Sequence, residues 1–273
     1  MAAIKVGTSG YSYKDWKGLF YPRSMEPSEF LTYYAQLFDC VEIDSTYYRI
    51  PPPSMMEAIT KKVTKNFRFT VKTPSTFTHE RTEFLSTLEP FRVATKPMLR
   101  KGMLACYLAQ FPSSFRFNKE NCQHVKAIAG NLDAPLCVEF RQREWQNEDV
   151  YEFLRGNEIG FVNVDLPRFK SLPLPSSVAT SEIGYFRFHG RNITKWWQHE
   201  EAHERYDYNY STKELEEWVP RVKEVNEKTK ELYVMFNNHW RKQSADAAVE
   251  LKRLLGIKAL QRKRGGAITD YFS

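Results

Sequence analysis

FRFTVK, residues 67–72, alternates strictly, with Phe67, Phe69 and Val71 on one parity and Arg68, Thr70 and Lys72 on the other. Successive side chains of a strand point to opposite faces, so this segment reads as a strand with one apolar and one polar face. The alternation recurs in VEID at 41–44, where Val41 and Ile43 separate Glu42 from Asp44, and in VEFR at 138–141, where Val138 and Phe140 flank Glu139 and precede Arg141. FRFH at 186–189 repeats it with Arg187 and His189 between and after Phe186 and Phe188. Strands of a parallel sheet are covered on both sides and usually read as continuous apolar runs. Here the apolar parity suits packing on outer helices, which turns the charged parity into the middle of a closed barrel.

Eight strand-like runs surround this segment: Ile4–Val6, Val41–Asp44, Phe67–Val71, Met103–Leu108, Leu136–Phe140, Phe161–Val164, Tyr185–Phe188 and Leu232–Phe236. Helical patterns fall between most of them. Ser54 with Glu57 reads as a capping box, Asn147 as the cap of a helix running to Gly156, and Ser244 as the start of a helix that Gly256 closes. Strand alternating with helix predicts an α/β fold with a parallel sheet. Eight such units predict a single (β/α)8 TIM-like barrel with a polar C-terminal mouth over residues 1–255, followed by a tail over 256–273. The chain has 273 residues, and one barrel of about 250 residues accounts for it. The alternation predicts a wet, charged interior whose last members reach the C-terminal rim, where such barrels keep their chemistry.

At 42% hydrophobic and 27% charged residues the composition is that of an ordinary globular chain with enough apolar surface for a core. No apolar run approaches membrane-spanning length and no export leader is visible at Met1–Val6, which predicts a cytoplasmic protein with no membrane partner. Cys40, Cys106, Cys122 and Cys137 follow no paired spacing and read as reduced thiols. A net charge of +7 and a pI near 9.1 suit a phosphate-rich partner, DNA among them, although many basic enzymes bind no nucleic acid.

Six segments carry a family signature: VGTSGYSYKDWKGLFYP at 6–22, VEIDSTYYRIPP at 41–52, FRFTVKTP at 67–74, VEFRQREW at 138–145, FRFHGRN at 186–192 and FNNHWRKQSADAAVEL at 236–251. In this order they resemble the YecE-like proteins, a TIM-barrel family named as a domain of unknown function. The resemblance implies a barrel but no activity. Position by position it implies a site built from Ser9, Tyr11, Trp16, Glu42, Asp44, Tyr47, Lys72, Gln110, Glu139, Arg141, Asp165, Arg187, His189, Tyr208, Tyr210, Asn237 and Asn238. Asp44 stands where the family commonly has Asn.

Glu42, Asp44, Lys72, Glu139, Asp165 and His189 form the expected catalytic set, and the remaining positions the substrate-binding set. Carboxylates and an imidazole at one rim are suited to Mg2+, Mn2+ or Zn2+, while lysine and arginine clamp an anion; a self-neutralising ion-pair network is the competing reading. Barrel glycosidases of the largest clan place carboxyl groups after strands four and seven, where this chain has Gln110 and His189, which argues against that chemistry. His199-Glu200-Glu201-Ala202-His203 fits the H-E-x-x-H pattern of zinc peptidases, but Glu201 falls where a buried zinc helix is apolar, so the segment reads as a solvated charged helix. Trp196, Trp197, Tyr206, Tyr208 and Tyr210, within the long stretch Gly190–Ser211, read as a lid over the mouth.

The tail, Arg262-Lys263-Arg264 followed by Gly265 to Ser273, is similar to the PIP-box peptide that binds the PCNA-like sliding clamp. Ile268, Tyr271 and Phe272 have the aliphatic-spacer-aromatic-aromatic spacing, with Gly265 in place of the usual Gln. The leading expectation is therefore a DNA-associated barrel, a metal-assisted phosphodiesterase or nuclease recruited by the clamp. A small-molecule carbohydrate or phosphate-ester enzyme, and a clamp-binding adaptor without catalysis, are the alternatives.

Overall fold

The structure, a computed structural model, describes residues 3–81 and 84–258. Its strands are β1 (Ala3–Thr8), β2 (Cys40–Ile43), β3 (Arg68–Lys72), β4 (Leu104–Gln110), β5 (Leu136–Glu139), β6 (Gly160–Asp165), β7 (Ile183–Phe188) and β8 (Glu231–Phe236). The helices are α1 (Phe30–Tyr34), α2 (Pro53–Thr60), α3 (Phe84–Arg100), α4 (Lys119–Asn131), α5 (Glu148–Gly156), α6 (Thr212–Glu216), α7 (Val219–Glu227) and α8 (Gln243–Leu254). All eight strands lie within one register step or two of their sequence-predicted positions.

The strands pair in parallel in the order β1-β8-β7-β6-β5-β4-β3-β2, which makes the predicted (β/α)8 barrel. Its seam, between β1 and β2, is held by a bridge between Ser9 and Glu42 and by the Gly10 N–H donating to the Glu42 carbonyl at 2.8 Å. Gly7 permits this approach, since a Cβ there would stand 2.4 Å from the Cys40 carbonyl oxygen.

Two apolar layers hold the barrel. Outside it, Phe69, Val71, Val138, Phe186 and Phe188 pack with Leu88, Phe91, Val125, Leu154, Val222 and Leu251 of the helices. Each such fully buried side chain contributes roughly 1.5–3 kcal/mol. Inside it, Cys40, Cys106, Cys137, Tyr185, Tyr233 and Met235 form a second buried cluster with Leu108, Val162 and Val164. The interior is thus apolar in its lower half, a correction to the wet and charged interior expected from the alternation. Charge begins one inward-facing position further along the strands, at Glu42, Glu139 and Arg187.

No helix follows β6, and residues 166–182 cross to β7 as irregular chain whose backbone groups need partners. Asn163 supplies them, accepting from Val178 N at 2.9 Å and donating to Val178 O at 2.9 Å. On this strand the polar parity therefore faces outward and Val162 and Val164 face inward, the reverse of its neighbours.

Asn147 caps α5 as predicted, accepting from Val150 N at 3.0 Å. The Ser54–Glu57 capping box does not form: α2 begins at Pro53 behind Pro52, and Glu57 pairs with Lys61 at 2.9 Å. All four cysteines are free thiols. Among the described residues no helix is long and apolar enough to cross a membrane. Residues 262–273, with Ile268, Tyr271 and Phe272, lie outside the described residues.

Candidate active site

Arg187, reaching up from the inward face of β7, is the centre of the mouth. It is 2% exposed and bridges two buried carboxylates. Its Nε and Nη2 donate to Glu42 at 3.0 and 2.5 Å, and its Nη1 donates to Glu139 at 2.6 Å. Tyr185, one inward position lower, donates its hydroxyl to Glu42 at 2.6 Å, and Arg141 Nε donates to Glu139 at 2.5 Å. Burial alone would raise the Glu42 carboxyl, but Arg187 and these hydrogen bonds outweigh it and hold it at about 2. Glu139 is likewise held well below the ordinary range against its burial by Arg141 and Arg187.

His189, the next inward residue after Arg187, is fully buried beside Glu139. Its Nε2 lies 3.2 Å from Glu139 Oε1 and its Nδ1 lies 3.0 Å from the Asn237 side-chain nitrogen. Donation to Glu139 and acceptance from Asn237 define a neutral imidazole with the proton on Nε2. Burial, with Arg141 adding to it, depresses the imidazole to about 3.

Asp44 has no such support. Burial and the adjacent Glu42 carboxylate hold its carboxyl well above the ordinary range, against the pull of Arg187 and Lys72. Of the two, Glu42, with arginine and tyrosine on it, is the stronger acid and Asp44 the weaker. Asp44 Oδ1 remains without a hydrogen-bond partner. Lys72, ending β3, donates to Gln110 Oε1 at 3.1 Å and lies 4.4 Å over the Tyr47 ring. Burial lowers its ammonium below the ordinary lysine value, with Asp44 opposing.

Above this floor opens a cavity of about 520 Å3. Tyr11, Glu42, Asp44, Lys72, Gln110, Arg141, Arg187 and Asn237 line it, as the sequence led us to expect. Ser9, Glu139 and His189 are buried beside these residues, with the Ser9 hydroxyl 3.4 Å from Arg187 Nη2. Tyr13, Tyr48, Met55, Met56, Ile59 and His239 also line the cavity and went unread in the sequence, although Tyr13, Tyr48 and His239 fall within the quoted motifs. Tyr13 and His239 stack face to face at 4.5 Å, a contact between chain ends that no local pattern shows.

Several expected residues are placed elsewhere. Asp165, on the reversed strand β6, faces outward and meets Arg191 at 2.8 Å, Arg168 at 3.2 Å and the Tyr210 hydroxyl at 2.7 Å. It is not part of the mouth cluster. Tyr208 bonds Glu214, and Asn238 donates to the Tyr208 carbonyl at 2.8 Å, so these two and Tyr210 fasten the Gly190–Ser211 loop instead of lining the cavity. Trp16 is fully buried and donates to the His239 carbonyl at 2.8 Å. Of the predicted lid aromatics, Tyr206 lines the cavity and Trp196 packs buried against Arg141 and Arg205. The segment predicted as a charged helix around His199 and His203 is loop leading into a 3-10 turn at Ala202–Tyr206, with His203 stacked on Trp240 at 3.8 Å.

The donor set does not fit the divalent metal expected from the sequence. Both Glu42 oxygens and both Glu139 oxygens already accept from arginine, so a cation placed on them would meet guanidinium. Among the described residues no group of three or more His, Cys, Asp or Glu could hold a metal ion.

Fold and site together define a (β/α)8 barrel with an arginine-bridged carboxylate floor under a mouth pocket. The chain belongs to the DUF72 family, described as a protein of unknown function, which it matches over residues 5–267. The chain is 29% identical to the UPF0759 protein YunF of Bacillus subtilis over 93% of this chain and 95% of that one. A shorter stretch, 32% of this chain and 33% of the relative, is 30% identical to the UPF0759 protein YecE of Escherichia coli. Among solved structures, a DUF72 protein of Thermotoga maritima shares 39% identity with a TM-score of 0.86, over 93% of this chain and 99% of that one. One from Enterococcus faecalis shares 27% with a TM-score of 0.84, over 97% and 100%.

Proposed function

We propose that the barrel is a small-molecule enzyme that moves a proton on an oxyanion- and hydroxyl-bearing substrate, within the carbohydrate or phosphate-ester class. The observation that carries this reading is that Lys72, Arg141 and Asp44 line one cavity. Arg141 and Arg187 orient the substrate's oxyanion through charge-assisted hydrogen bonds. The Asp44 carboxyl, which lines the cavity, hydrogen-bonds a substrate hydroxyl. Lys72, whose ammonium is weakened by burial, carries the proton, since a transfer group works best with its pKa brought towards the working pH.

A panel of sugar phosphates, sugar acids and phosphate monoesters tests this by thermal shift and by NMR of the ligand. At least one member should raise the melting temperature of the wild type and not of Arg141→Met, and its conversion should stop in Lys72→Met while binding persists. A panel with no binder, or one bound equally by Arg141→Met, overturns the reading.

Recruitment to DNA by a sliding clamp is a second proposal, supported by the Ile268, Tyr271, Phe272 spacing and the net charge of +7. Calorimetry with the clamp from the same cell should give heat with the wild type and none with a Tyr271→Ala, Phe272→Ala double variant. Silence with the wild type removes it.

A further inference from the structure

We propose that the mouth pocket takes an oxyanion carried on a flat apolar body, with the anion at Arg141 and the body on a shelf formed by Tyr48, Pro51, Met55 and Ile59. This rests on the proposed function and specifies its substrate class.

The cavity has two unlike walls. One comes from the strand ends and carries Lys72, Gln110, Arg141 and Arg187; the other comes from the segment after β2 and the first turns of α2 and is apolar. Tyr48 is 85% exposed and Met55 54% exposed, while Met56 and Ile59 beside them are buried. Single exposed apolar side chains are common on protein surfaces. These differ because they continue a buried apolar wall out of a cavity, the arrangement that buries ligand surface. Methionine adds a flexible, polarizable face that moulds to a flat ring.

Charge sets the other end. Arg187 is taken up by Glu42 and Glu139, and Arg141 and Lys72 line the cavity beside it, so the charge-assisted partner that suits this end is an oxyanion. Size then excludes a bare anion as the whole ligand. A water takes about 30 Å3 in the liquid, so an inorganic oxyanion with the bulk of a few waters leaves most of about 520 Å3 unfilled.

Calorimetry on the full chain with inorganic phosphate, phenyl phosphate, benzoate and phenol tests this. Phenyl phosphate should bind about tenfold more tightly than inorganic phosphate, as expected for burial of one ring edge. A Tyr48→Ser, Met55→Ser double variant, altered only at exposed positions, should lose most of that advantage and bind inorganic phosphate as before. Benzoate binding as tightly as phenyl phosphate supports the inference with a carboxylate as the oxyanion. Phenyl phosphate no tighter than phosphate, an advantage that survives in the double variant, or phenol as tight as phenyl phosphate overturns the shelf but leaves the anion site standing. If no oxyanion binds, the proposed function falls with it.

Discussion

Two buried carboxylate–arginine networks stand back to back across the barrel wall, and they do different things. Inside, Glu42 and Glu139 hold Arg187 under an open cavity. Outside, Asp165 on β6 holds Arg191 and Tyr210 under the Gly190–Ser211 loop. The residue types are alike, so chemistry alone does not separate site from strut. What separates them is the face of the strand and what lies above it: a pocket in one case, a folded loop in the other.

The comparison breaks most readily at Arg187. Arg187→Met leaves Glu42 and Glu139 buried without their shared cation, which should cost about 3–5 kcal/mol in urea denaturation. A loss under about 1 kcal/mol would show that the carboxylates find other partners and that the floor is not a structural unit.

Acid should separate the two networks next. His189 and Glu42 lie below their ordinary values of 6.5 and 4.5 in the fold, at about 3 and about 2. Groups depressed in this way contribute stability that is complete above the unfolded value and declines as pH falls towards the folded one. Their contribution therefore falls from about pH 6.5 for His189 and from about 4.5 for Glu42. Asp165, raised by burial, has the opposite sign: its contribution is complete at low pH and declines as pH rises. Between pH 6 and 4 we expect His189 to cost about 2 kcal/mol, at about 1.4 kcal/mol per pH unit for one proton. Equilibrium unfolding across that range should show a flatter slope for His189→Gln than for wild type, and an undiminished acid loss for Asp165→Asn. Equal slopes for His189→Gln and wild type would remove His189 from the acid response.

At neutral pH, Asp165→Asn should cost about 1–3 kcal/mol through its weakened bonds to Arg191 and Tyr210. The effect should be local, with faster hydrogen exchange across residues 190–211 and ligand affinity at the mouth nearly unchanged. Faster exchange at β2 and β3 instead would mean that the two networks are coupled.

The smallest effect is expected at Asp44→Asn, under about 0.5 kcal/mol. Asp44 is the weaker acid beside Glu42 and its Oδ1 is buried without a hydrogen-bond partner, and an asparagine amide keeps its shape while removing the repulsion from Glu42. This also explains how Asp can stand where the family resemblance leads one to expect Asn. A large loss in Asp44→Asn would show that Asp44 is ionised in the fold.

Most of the barrel was legible because period-two alternation is local: Phe69 and Val71 against Thr70 and Lys72 already assign the two faces of β3. The same rule placed Glu42, Lys72, Glu139, Arg141 and Arg187 together at the rim. It failed at β6, where the absence of a covering helix reverses the demand, since an irregular crossover needs Asn163 for its backbone and leaves Val162 and Val164 to the interior. It was silent on the shelf of Tyr48, Met55 and Ile59, because apolar residues at the start of an amphipathic helix read alike whether they face a core or a cavity. The sequence by itself determined the strands, their parity and the supply of charge for one end of the barrel. Only the tertiary structure decided which carboxylates share Arg187, which one is the weaker acid, and which arginine network lies under open space. Those depend on separations across eight strands and on burial, and neither is a property of neighbouring residues in the chain.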